Sequence, residues 1–153
     1  MTVSFDTNIL VYATEPKAER KSSRAREVIA RGMRNGSSIL LLQTLTEFSS
    51  VAIRKTGISV DQVLAMVRIW QSVMAVEGAQ ANDLFDALNA VKNSKLSFWD
   101  AMIWATARRV GLRHVLTEDF QDRFELDGVL FVNPFERSND RLIDEILPAV
   151  QGA

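Results

Sequence analysis

Short apolar runs alternate along this chain with longer stretches in which apolar positions recur every three or four residues. The runs "TVSF" (Thr2–Phe5), "SILLL" (Ser38–Leu42), "HVLT" (His114–Thr117) and "VLFV" (Val129–Val132) predict strands buried on both faces. The longer patterns predict helices: a short one over Asn8–Thr14, a basic amphipathic one over Lys17–Arg34 stopped by Asn35-Gly36, and one over Thr44–Gly57. Ser59 reads as an N-cap, with Gln62 three positions on, opening a helix that runs to about Glu77. Further helices are expected from Ala81 to about Asn93, over Leu96–Arg109, and over Asn139–Val150 with a cut at Pro148. Strands separated by helices imply an α/β domain built on a mainly parallel sheet with helices on both faces. No repeat, low-complexity segment or long linker divides the chain, so residues 1–153 are read as a single domain.

Composition narrows the chemistry. At 153 residues, 47% hydrophobic and 24% charged, the chain fits an ordinary globular domain. It has no cysteine, which removes disulfides, thiolate catalysis and cysteine-ligated zinc. No apolar run approaches the roughly 20 residues that span a bilayer, and "MTVSFDTNIL" meets an acid at its sixth position without a basic leader. A cytoplasmic protein without a membrane partner is the expectation.

The net charge of −1 advertises no polyanion partner, but the charges are unevenly placed. Lys17, Arg20, Lys21, Arg24, Arg26, Arg31 and Arg34 stand against Glu19 and Glu27, seven bases to two acids, a local +5. From Glu118 to Glu145 nine acids face three arginines, a local −6. Such asymmetry fits a polyanion-binding face beside an acidic one, and equally two solvated helix faces of opposite sign.

Four acids fall at comparable points of the pattern. Asp6 directly follows the first strand, Glu47 lies early in the helix after the second, Asp100 is in the first turns of its helix, and Asp119 follows "HVLT". In an open parallel sheet these positions meet at one edge, where ligands bind. Asp6, Glu47 and Asp100 have no basic residue three or four positions away. Clustered carboxylates raise one another's pKa, and a bound cation relieves them. An oxygen-only set suits Mg²⁺ or Mn²⁺ rather than zinc.

Each acid also has a plainer role. Ser97-x-x-Asp100 fits a helix cap, Asp6 could cap the helix after it, Glu47 could be solvated, and Asp119 could pair with Arg123. The joint placement of all four at one edge favours the site.

The segments "FDTNILVYA", "TLTEF", "LSFWDAMIWATA", "VLTEDF" and "VNPF", in that order and spacing, resemble a PIN-domain ribonuclease of the VapC toxin type over about residues 1–135. The resemblance implies a three-layer α/β/α domain whose central, mainly parallel sheet has four or five strands. It implies an Mg²⁺- or Mn²⁺-dependent endoribonuclease leaving 5′-phosphates and 3′-hydroxyls, with Asp6, Glu47, Asp100 and Asp119 as the metal-binding acids. Thr7, Asn8 and Thr117 would orient those carboxylates or a water, with Glu118 an additional outer acid. It also implies a homodimer neutralised by a cognate antitoxin protein. Residues 136–153, a C-terminal helix or tail, lie outside the resemblance.

RNA contacts would fall to Lys17, Arg20, Lys21 and Arg24, with Arg54 and Lys55, unless those residues face an antitoxin or another subunit. Trp70, Phe98, Trp99 and Trp104 read as core residues, base stacking being the other reading for Trp99 and Trp104. His114 reads as structural. Two other functions stay open. A non-catalytic RNA- or protein-binding module would share the fold, though no acid of the set has been lost. A Mg²⁺-dependent phosphatase-type enzyme would need a second acid after "FD" and a late lysine, and no lysine follows Lys95.

Overall fold

The computed structural model describes residues 2–149 apart from 16, 18 and 56. In chain order the elements are β1 (Val3–Phe5), α1 (Thr7–Thr14), α2 (Glu19–Asn35), β2 (Ile39–Leu41), α3 (Leu42–Lys55), α4 (Val60–Val73), β3 (Ala75–Glu77), α5 (Ala81–Asn93), α6 (Phe98–Arg109), β4 (His114–Leu116), β5 (Glu125–Leu126), β6 (Val129–Val132) and α7 (Asp140–Ile146). A turn of 3₁₀ helix at Arg137–Asn139 leads into α7. The last four positions of the expected C-terminal segment, 150–153, lie outside the described residues.

The main sheet has the order β1-β4-β6-β5, parallel except for β5, which runs antiparallel to β6. The run expected at Ser38–Leu42 pairs elsewhere. As β2 it lies parallel to β3, and it meets the main sheet through a single parallel bridge between Val3 and Ser38.

Successive strand residues point to opposite faces, and both faces are covered. Phe5, Leu40, Leu116 and Val132 enter the core shared with α1, α2, α3, α4 and α7, whereas Leu41, Val115, Phe131 and Val129 enter the core under α5 and α6. Burial on both sides is why these strands read as continuous apolar runs. The three-layer α/β/α arrangement expected of the chain is therefore present.

Two elements differ from the reading above. The helix expected to run to about Glu77 ends at Val73: Met74 turns extended at φ −127° and ψ 137°, and β3 begins at Ala75. The apolar run "VMAVE" looks the same in either conformation. β5, for which no strand was expected, forms a hairpin with β6 across Asp127-Gly128, both at positive φ (46° and 81°). An Asp-Gly pair supplies the backbone that a tight hairpin turn requires.

Two bases of the first charged segment pair at the surface with two acids of the second. Arg24 pairs with Asp140 at 2.9 Å and Arg31 with Asp144 at 2.6 Å, tying α2 to α7. The basic segment is thus partly paired, while Lys17, Arg20, Arg26 and Arg34 are exposed. Among the described residues no helix is long and apolar enough to cross a membrane.

Candidate active site

The strand ends bring all four acids to one groove of about 410 Å³, lined among others by Asp6, Asn8, Glu47, Trp99, Asp100 and Asp119. Asp6 leaves β1 in extended conformation and caps α1, its Oδ1 accepting the Thr7 N–H at 2.7 Å. Its Oδ2 accepts the Thr117 hydroxyl at 2.7 Å. Both hydrogen bonds fix a carboxyl that is only 5% exposed.

The polar neighbours form a positioning frame. Asn8 Nδ2 donates to Asp119 Oδ2 at 2.9 Å, and Thr117 Oγ1 accepts the Asp119 N–H at 3.1 Å. Thr7 donates its hydroxyl to Glu47 Oε2 at 3.0 Å, while Gln43 Nε2 donates to Glu47 Oε1 at 3.0 Å. Gln43 was not among the expected residues; its only sequence signal is its place one helical turn before Glu47. Asp100 lies in the first turn of α6, whose N-cap is Ser97, the Ser97 Oγ accepting the Asp100 N–H at 3.3 Å. The cap is thus Ser97, and the Asp100 carboxyl is left to face the groove.

Electrostatics shows that the acids sense one another. Burial pushes the Asp6 carboxyl up to about 6, and the Asp119 and Asp100 charges push the same way, against the hydrogen bonds from Thr117 and Thr7. Asp100 is also raised, by burial first and then by Asp119 and Glu47, against a hydrogen bond with Ser97. Among the described residues none of the four acids makes an ion pair.

These observations decide whether the residues fit a divalent cation. The donors are all oxygen, they are unneutralised, and the buried Asn8 Oδ1 has no hydrogen-bond partner. Among the described residues no three acids stand close enough to enclose one ion by themselves. That suits Mg²⁺, which keeps several waters and takes one or two carboxylates. One or two of these carboxylates, completed by waters, would fit the ion; three of them around one ion are not present among the described residues.

One expected site residue lies elsewhere, and one alternative pairing is not made. Glu118 turns away from the groove to pair with Lys21 at 2.6 Å and to accept the Tyr12 hydroxyl. Asp119 makes no helical pair with Arg123, which is held at φ 60° and donates instead to Asn139 Oδ1 at 2.8 Å. Of the expected RNA contacts, Lys21 is committed to Glu118 and Arg24 to Glu27, Asp140 and the Pro134 carbonyl. Arg54 donates to the Ser50 carbonyl, Lys55 lines the acidic groove, and Lys17 is exposed. Arg20 lines a second cleft of about 450 Å³ with Arg137, which the sequence did not single out. Among the described residues neither arginine has an ion-pair partner.

The raised Asp6 has a consequence for stability. Its folded value of about 6 exceeds its ordinary 3.8, so its cost is absent below the unfolded value and appears as pH rises through that window. Metal-free protein should therefore lose stability between about pH 4 and 6. Asp6→Asn should be more stable than the parent above pH 6, by up to about 3 kcal/mol, with the difference closing below about pH 4. Calorimetric melts in EDTA across this range check the sign.

The PIN domain family model matches residues 3–125, and the chain belongs to that family. Solved structures share the fold. The Mycobacterium tuberculosis toxin VapC20, described as cleaving the sarcin–ricin loop, superposes with a TM-score of 0.60 at 19% identity, covering 74% of this chain and 87% of that one. A toxin–antitoxin complex from Klebsiella pneumoniae gives 0.62 at 21% identity, covering 88% of this chain and 99% of the other. No curated protein sequence matches the chain.

Proposed function

We propose that this chain is a divalent-metal-dependent endoribonuclease, using Mg²⁺ or Mn²⁺ to hydrolyse RNA phosphodiester bonds to 5′-phosphate and 3′-hydroxyl ends. It acts as the toxin of a toxin–antitoxin pair. The observation that carries the reading is the groove in which Asp6, Glu47, Asp100 and Asp119 converge, none of them in an ion pair among the described residues although Lys55 lines the same groove.

Asp6 and Asp100 are the principal ligands in this reading, with Asp119 and Glu47 completing the acidic set. These residues would hold a divalent ion, which when bound would supply water activation and charge stabilisation on the phosphate oxygens. The chain's own part is positioning. Thr117 and the Thr7 N–H hold Asp6 in one orientation, Asn8 holds Asp119, and Thr7 with Gln43 holds Glu47. Fixed carboxylates need not reorganise during the reaction, the general origin of electrostatic catalysis.

The superposition on a toxin–antitoxin complex supports a cognate antitoxin protein as partner. Exposed apolar side chains on α4 (Leu64, Ile69, Val73) and α5 (Phe85, Leu88) support a homodimer. Arg20 and Arg137, which line one cleft and make no ion pair among the described residues, are candidates for phosphate contacts, and the cytoplasm is the proposed location.

Incubating antitoxin-free protein with a pool of structured and single-stranded RNA tests the reading. Cleavage is expected in Mg²⁺ or Mn²⁺, absent in EDTA, with 5′-phosphate ends. Cleavage indifferent to EDTA contradicts it.

A further inference from the structure

The three tryptophans are not equivalent. Trp70 and Trp104 are 6% and 4% exposed, and Trp104 Nε1 donates to the Leu126 carbonyl at 3.0 Å. Trp99, expected in the core with them, is 62% exposed. A tryptophan so placed forgoes most of the stabilisation its large apolar surface would give on burial.

Trp99 is nonetheless held in place. Its carbonyl accepts Gln43 Nε2 at 3.2 Å, and the same amide secures Glu47. Its ring meets Phe98 edge-on, with centroids 5.0 Å apart and planes at 69°. It precedes Asp100 directly and lines the acidic groove, where Val11, Val51 and Ile103 add apolar surface. One amide therefore ties the backbone that carries this exposed ring to one of the site's carboxylates.

We propose that Trp99 is a nucleobase-stacking subsite that seats an unpaired base of single-stranded RNA beside the scissile phosphate. This rests on the ribonuclease reading and adds a substrate class to it. Aromatic side chains stack on any base, because every base has a π-face, and they do so without reading sequence. In a duplex those faces are covered by neighbouring base pairs, so the subsite selects unpaired or splayed nucleotides. Phosphate contacts come from elsewhere, and the subsite sets which nucleotide lies over the acids.

The burial pattern makes the test direct, because Trp99 supplies the solvent-accessible part of the tryptophan emission. Short single-stranded RNA, titrated into the intact protein in EDTA so that it is not cut, is expected to quench that part saturably. Blunt duplex RNA of the same length should quench far less. By anisotropy of labelled single strand, Trp99→Ala should bind roughly tenfold or more weakly, with Trp99→Phe intermediate. In Mg²⁺, Trp99→Ala should raise KM more than it lowers kcat, and Trp99→Phe should recover most of the difference.

RNA binding and cleavage unchanged by Trp99→Ala, with no quenching, would overturn the subsite and leave the ribonuclease reading standing. Quenching that follows Trp99 in a protein that cuts no RNA would support the subsite and count against the nuclease. Emission already shielded from acrylamide in the free protein would show Trp99 covered by a second copy, and would overturn the subsite.

Discussion

Asp100→Asn is expected to lower RNA cleavage by a factor on the order of 10³ or more while leaving the chain folded. The factor follows from the proposed function: Asp100 would be a charged ligand of a metal that would supply several kcal/mol of transition-state stabilisation. The fold should survive because the helix start depends on the Ser97 Oγ and the Asp100 backbone N–H, which asparagine retains. Asparagine also removes a carboxylate that Asp119 and Glu47 repel, so the metal-free variant should melt no lower than the parent. Initial rates, with circular dichroism on the same preparations, check both halves. A folded variant of near-parental activity would return Asp100 to the role of a helix-end acid.

The second large effect lies at the other end of the same helix. Arg109, at the end of α6, donates from Nε to both Asp83 oxygens at 2.9 and 3.0 Å, and from Nη2 to the Gly78 carbonyl at 2.7 Å. The Asp83 side chain is 1% exposed. Without the guanidinium it would keep the Gln80 N–H at 2.7 Å and a long contact to Thr106, which do not neutralise it. Breaking a buried pair from one side costs roughly 3–5 kcal/mol, so Arg109→Ala should lower the melting temperature by on the order of 10 °C. Replacing both partners by apolar residues, Asp83→Leu with Arg109→Met, should recover much of the loss. A loss of under about 1 kcal/mol in thermal melts would show that the pair is solvated.

How far the sequence could be read follows from where its signals were local. The apolar runs that became β1, β4 and β6 were legible because both sheet faces are covered, and α5 begins and ends where its pattern does. The convergence of the four acids was legible because each sits just after a strand or in the first two turns of a helix. The α4–β3 boundary was not, since Met74 and its neighbours stay apolar through the change of period. The β5–β6 hairpin left a usable sign in Asp127-Gly128.

Charge partners were the least legible, because they are distant in sequence. Arg24 and Asp140 are separated by 116 positions, and nothing local reveals that the basic helix is partly neutralised by the C-terminal acids. Glu118 and Asp119 are adjacent and chemically alike. The Asp119 N–H bonded to Thr117 Oγ1 decides which one faces the groove, and that turn has no sequence period. Trp99 belongs to the same class: an apolar helix pattern marks it as core, and only the arrangement of α3 against the α6 start leaves it open.

The central claim is that this groove holds a divalent cation, and calorimetric titration of Mn²⁺ into metal-free protein near pH 6 tests it most directly. With Asp6 at about 6, part of its population is protonated there and must give up that proton to bind a cation. Saturable binding with a buffer-dependent heat from proton release, lost in both Asp6→Asn and Asp100→Asn, is the predicted result. No binding, or binding that both variants retain, would contradict the account.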